Sequence, residues 1–181
     1  MAKTPAAKRY GQALFELGVK HDELQELGDA LQEASKLLDD SPELRNVLFN
    51  PAVELDERRQ VVDAISEHAE WPKLFRNFLM LLIDNDRIGG LAGIATNYAG
   101  RADDHQGRVR ARVTTAVELD DDALDTLRDR LGELTGKEVL MSTDVDPSLI
   151  GGAVARVGST IYDGSIQNHL QRMREAILQE V

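Results

Sequence analysis

Up to about Arg101 the apolar residues recur every three or four positions; beyond Gly107 they alternate, and this change of period divides the chain. Ala7, Tyr10, Ala13, Leu14 and Leu17 share one face of a helix predicted from about Ala6 to Lys20. Leu24, Leu27, Leu31, Ala34 and Leu38 predict a second helix from about Asp22 to Leu38. Ser41-Pro42, a capping residue and a first-turn proline, starts a short third helix through Phe49. Asn50-Pro51 ends it, because the residue before a proline is pushed out of the helical region. A fourth helix, about Asp56 to Glu67, buries Val61, Val62 and Ile65. Trp71-Pro72 opens a fifth, to about Asn85, in which Leu74, Phe75, Phe78, Leu79, Leu81, Leu82 and Ile83 cover most of the circumference. A helix apolar nearly all round is central, or faces a partner on one side. A sixth helix, about Ile88 to Arg101, uses Ile88, Leu91, Ile94, Ala95 and Tyr98. Short connections between amphipathic helices imply an up-and-down bundle.

The polar run Ala102 to Gly107 reads as a hinge. After it Val109, Ala111, Val113, Thr115, Val117 and Leu119 alternate with Arg108, Arg110, Arg112, Thr114, Ala116 and Glu118, which predicts a half-buried strand. Asp120, Asp121 and Asp122 suit the positive end of a following helix that carries Leu124, Leu127, Leu131 and Leu134, with Gly136 as its cap. Lys137 to Val145 is a second strand, and Ala153 to Val157 with Thr160 to Tyr162 a further pair. Ser165 caps a last helix carrying Ile166, Leu170, Met173 and Ile177. The expected fold class is mainly α: an N-terminal six-helix bundle over residues 1–105 and a small α+β domain over 106–181.

Composition narrows the function classes. With 32 acidic against 21 basic residues the formal net charge is -11, which repels phosphate backbones and anionic lipid, so nucleic acid is not an expected partner. The absence of cysteine excludes disulfides, thiolate metal sites and thiol nucleophiles. No signal-type core follows Met1, and the longest apolar stretch, Phe78 to Ile83, is too short to span a bilayer. Membrane association is expected only through a partner, without insertion.

The search for chemistry is mostly negative. His21, His68, His105 and His169 are scattered, with no pair at i, i+4 spacing. Gly132-Glu133-Leu134-Thr135-Gly136-Lys137-Glu138 falls short of a phosphate loop: it has three residues between the glycines, and Glu138 stands where a Ser or Thr would bind magnesium. It also runs from helix to strand, the reverse of the order that aims amides at phosphate. No catalytic residue, cofactor or metal is expected. Two features stand out. Asp146-Pro147-Ser148-Leu149-Ile150-Gly151-Gly152, then Val157-Gly158 and Tyr162-Asp163-Gly164-Ser165, reads as a turn, a tight sheet corner and a helix cap. The excess apolar surface of the fifth helix, with Tyr10 and Leu14 on the first, fits either bundle core or a groove for an amphipathic partner helix.

Ala7-Lys8-Arg9-Tyr10-Gly11-Gln12-Ala13-Leu14-Phe15-Glu16 resembles the opening helix of the delta subunits of F-type ATP synthases, which usually have alanine at the position of Gly11. Asp146, Leu149, Ile150, Gly151, Gly152, Val157, Gly158, Asp163, Ser165 and Leu170 resemble that family's C-terminal signature, and Ser159 departs from an acidic preference. The resemblance, which extends to the mitochondrial oligomycin-sensitivity-conferring protein, covers essentially the whole chain. It implies a non-catalytic stator subunit that couples proton flow to ATP synthesis by linking the alpha/beta head to the peripheral stalk. An alpha-subunit N-terminal helix would lie between the first and fifth helices, with Tyr10, Ala13, Leu14, Leu17, Phe75, Leu79, Leu82 and Ile83 as groove candidates. The b subunits would meet the last helix and the Gly151-Gly152 region. One copy per complex is implied, peripheral on the cytoplasmic face of a bacterial plasma membrane.

Overall fold

The computed structural model describes residues 4–158 and 160–179, with side chains through residue 174. Helices α1 (Pro5–His21), α2 (Leu24–Asp40), α3 (Pro42–Phe49), α4 (Leu55–His68) and α5 (Lys73–Asp84) are followed by a 3₁₀ turn at Ile88–Gly90 and by α6 (Leu91–His105). Then come β1 (Arg108–Thr115), α7 (Asp121–Thr135), β2 (Glu138–Val145), β3 (Ala153–Val157), β4 (Thr160–Asp163) and α8 (Ile166–Gln179). The chain divides into two compact units, residues 1–102 and 103–181.

The first unit is built on the leucine and aromatic faces that the helical periodicity marks. Leu14, Leu27, Leu31, Phe75, Leu82, Ile83, Leu91, Ile94 and Tyr98 are fully buried in one cluster. Each buried side chain of this size contributes about 1.5–3 kcal/mol relative to exposure. Thr4 caps α1 by accepting from the Ala7 amide, and Pro5 occupies the first turn. Ser41 precedes α3 as expected but makes no side-chain capping bond. Arg58, almost wholly buried on α4, donates to Asp86 at 2.8 Å and so pins the turn after α5. At Gly11 α1 packs closely against α6. A Cβ there would lie 3.0 Å from Asn97 Cβ and 3.1 Å from the Ile94 carbonyl oxygen. Glycine weakens α1 by about 1 kcal/mol relative to alanine, and this close approach is what it provides in return.

In the second unit the sheet order is β2-β1-β3-β4, with β1 and β2 parallel and the other pairs antiparallel. The parallel pair requires a crossover, which α7 supplies. Asp120 caps α7 by accepting from the Ala123 amide, and Gly136 ends it at φ +65. Ala111, Val113, Val139, Ala155 and Val157 face Leu127 and Leu131 of α7, so the core lies on one side of the sheet.

Two expectations need correction. The predicted hinge is helical through His105; only Gln106 and Gly107 intervene before β1, and Gly107 makes the turn at φ +66. Asp103, in that last turn of α6, is buried against Arg108 and Arg110. The first strand ends at Thr115 although the alternation runs to Leu119. The Thr115 hydroxyl donates to the Val117 carbonyl in a bend, and Val117 is left exposed. Alternation continued past the point where a neighbouring strand was available to pair.

Candidate functional site

The eight groove candidates separate by burial. Leu14, Phe75, Leu79, Leu82 and Ile83 are core residues with almost no exposed surface, and they hold α1 and α5 in the bundle. Tyr10 is half-buried, Ala13 is exposed and Leu17 is 40% exposed; at i, i+3 and i+7 they form one stripe along α1. The matching stripe on α5 is one the sequence reading passed over: Leu74, half-buried, and Leu81, 49% exposed, lie on either side of Phe78. The two helices meet edge to face through Tyr10 and Phe78, with ring centroids 6.3 Å apart. The signal for Leu81 was present, since it is the apolar residue that gives α5 its all-round pattern; only packing says which side is surplus.

Trp71, at the opening of α5, donates its indole N–H to Glu33 at 2.7 Å and stacks edge-on against Phe75. It therefore reports on the seam between α2 and α5. A small apolar void of about 20 Å³ beside it, lined by Leu38, Leu48, Val62 and Leu79 among others, has room for about one water and no polar group to hold it.

In the second unit the signature residues build a latch. Asp146 accepts from the Ser148 amide, and the hydrogen bonds from Ser148 hold its carboxyl below the usual range. Leu149 follows half-buried and Ile150 is left in solvent. Gly152 has φ +84, and a Cβ on it would lie 2.3 Å from the Gly164 carbonyl oxygen. The Gly151 carbonyl accepts from the Ile166 amide, and the Ala153 carbonyl from the Gly164 amide. Asp163 accepts from the Ser165 amide, and hydrogen bonds from Ser165 lower its carboxyl pKa as well. The Ser165 hydroxyl in turn accepts from the Asn168 amide and caps α8. Gly158 makes the β3–β4 turn at φ +58. The latch fixes where α8 departs from the sheet. Along α8, Ile166, Leu170 and Met173 are 45–55% exposed at i, i+4 and i+7, an apolar stripe left open among the described residues. Ser159 and the side chain of Ile177 lie outside the described residues.

Among the described residues no group of three or more His, Cys, Asp and Glu could hold a metal ion, and no helix is long and apolar enough to cross a membrane. Uncovered apolar stripes on a helical unit and on an α+β unit are the marks of an interaction protein, one that works through its surfaces.

Comparison with known proteins makes that class specific. The family model for the ATP synthase delta (OSCP) subunit matches residues 6–177. ATP synthase subunit delta of Anaeromyxobacter dehalogenans (strain 2CP-1) is 40% identical over 173 residues, covering 96% of this chain and 97% of its own. That of Myxococcus xanthus is 38% identical over 181 residues, covering 99% and 100%. A chain in the structure of the Toxoplasma gondii mitochondrial ATP synthase hexamer has the same fold, with a TM-score of 0.74 at 21% identity over 97% of this chain and 98% of that one. The chain belongs to the ATP synthase delta (OSCP) subunit family.

Proposed function

We propose that the chain is a stator subunit of an F-type ATP synthase, without catalysis of its own, that ties the alpha/beta head to the peripheral stalk. The observation that carries this reading is the family match, which runs through both units. In this reading the N-terminal helix of an alpha subunit lies along the Tyr10, Ala13 and Leu17 stripe and the Leu74 and Leu81 stripe, one copy per complex. The ends of the b subunits cover Ile166, Leu170 and Met173 on α8. The complex then sits on the cytoplasmic face of a bacterial plasma membrane with this subunit peripheral to it.

The physics suits the task. A stator resists rotor torque without letting go, and a helix laid along an apolar groove gains about 0.8 kcal/mol for each buried CH₂. A second attachment raises the effective concentration of the first and slows complete release. The test is calorimetric titration of the full chain with a synthetic peptide of the cognate alpha-subunit N-terminus. We expect saturable one-to-one binding, weakened about a hundred-fold when Leu17→Asp and Leu81→Asp remove two apolar anchors. Absence of binding by the unaltered chain would remove the head attachment. Unchanged affinity of the double variant would move it off this face.

A further inference from the structure

The face of the sheet opposite its core carries a basic patch on an acidic protein. Strand register places Ser142, Arg112, Arg156 and Ile161 on one rung across β2, β1, β3 and β4. Arg110 lies two residues along β1, about 7 Å away. Arg112 and Arg156 are direct cross-strand partners, and like charges placed so are destabilising. Their compensation is incomplete. Arg110 is taken by buried Asp103, its Nε donating at 2.5 Å. The carboxylate at Arg112, Asp144, is 3.5 Å away, with side chains 72% and 61% exposed, so water screens the pair. Among the described residues Arg156 forms no ion pair. Two guanidinium groups thus stand together in solvent in a chain of net charge -11. Exposed Ile161 and half-buried Val154 put apolar ground beside them, in a shallow depression of about 610 Å³ lined from all four strands.

We propose that this face docks an acidic helical segment of a protein partner. Two carboxylates pair with Arg112 and Arg156, and an adjacent apolar side chain covers Ile161. Helical carboxylates three or four residues apart have Cβ atoms about 5–6 Å apart, which matches the roughly 5 Å between cross-strand partners. The planar guanidinium fork receives a carboxylate at two points. A small anion would find no converging amides here, because the strand amides are spent in the ladder. An anionic bilayer is far wider than this patch and would also face the acidic remainder of the surface, whereas a short helix meets only the patch. A peptide brings its own apolar residue for Ile161. These residues are separate from the stripe on α8, so the inference stands apart from the assignment of the stalk contact.

The test titrates the full chain with a synthetic helical peptide bearing glutamates at i and i+4 with a leucine between them, and with its lysine counterpart. The unaltered chain binds the glutamate peptide and not the lysine peptide. R112E/R156E weakens the glutamate peptide at least about ten-fold and now accepts the lysine one. Raising the salt from about 0.05 M to about 0.5 M weakens the native pairing. Should the charge reversal unfold the sheet, R112Q/R156Q carries the same comparison without adding charge. No binding of the glutamate peptide, or equal binding by the variants, overturns the proposal. So does displacement of the peptide by inorganic phosphate at matching concentration, which would mark a small-anion site. Binding to phosphatidylserine vesicles without binding of the peptide likewise overturns it.

Discussion

Tyr98 joins the last helix of the first unit to the start of α2: its hydroxyl donates to the Leu24 carbonyl at 2.7 Å, and its ring meets Phe15 edge-on at 6.4 Å. Burial, with Asp29 nearby, pushes the phenol up to about 12, because the charged phenolate would lose its water. A raised pKa fixes the sign of the pH dependence. The stabilising effect of the neutral phenol is intact below about pH 10, the value in an unfolded chain, and is lost as pH climbs towards 12. Tyr98→Phe keeps the ring and removes the hydrogen bond, so it costs about 1 kcal/mol at neutral pH. Urea unfolding at a series of pH values should show the unaltered protein ahead at pH 7, with the difference closing and then reversing above pH 10. A constant difference across that range would mean that Tyr98 ionises freely in the folded state. Gly152 is a residue-scale constraint of another kind. Its positive φ and the carbonyl 2.3 Å from a would-be Cβ leave no room for a side chain, which gives the signature glycine a mechanical reason.

Elements explain why neighbouring arginines differ. Along β1, Arg110 and Arg112 point to the same exposed face, yet Arg110 closes the last turn of α6 onto the strand through buried Asp103, while Arg112 meets an exposed Asp144. Removing a partner from a buried carboxylate leaves that charge under-solvated, at a cost of about 1–3 kcal/mol or more. Removing one end of an exposed pair costs less than about 0.5 kcal/mol. Arg110→Ala should therefore lower the unfolding midpoint of the second unit clearly, and Arg112→Ala hardly at all, in chemical denaturation followed by circular dichroism. Equal effects would show that the Asp103 pair is no stronger than a surface one. The α1–α6 seam is likewise an element-scale device: Gly11, Gly93 and Ala7 let two helices approach closely, and a Cβ on Gly93 would lie 3.3 Å from Ala7. Helix propensity taken alone assigns Gly11 only a cost.

At the scale of the whole molecule each unit has its own cluster of buried apolar residues, from Ala7 to Tyr98 in the first and from Ala111 to Val157 in the second among the described residues. Among the described residues, the members of the helical core and the side chains packed against it run from Ala7 to Ala102, within residues 1–105. A fragment of that span is expected to fold alone, with a helical spectrum and a cooperative thermal transition. A broad, non-cooperative melt would show that the helical core needs residues beyond 105.

Periodicity is a local property, so the sequence by itself determined most of the secondary structure: the helices and strands to within a few residues, and Gly136 as the cap of α7. It also carried the family resemblance, because the signature glycines and aspartates build local turns whose geometry depends on near neighbours in the chain. Tertiary structure decided what depends on who stands opposite. Leu79 and Leu81 are equally apolar and two residues apart, yet one is sealed in the bundle and the other open to solvent, since burial depends on which neighbours each side of α5 meets. The pairing of Arg112 with Arg156 required the β1–β3 register, and the ion pairs of Asp103 and Asp104 with Arg108, Arg110 and Lys137 join the last turn of α6 to residues that only the fold brings near. A chain writes its own periods and turns; the partners that bury, pair or expose each face come from distant positions, and only the fold brings them together.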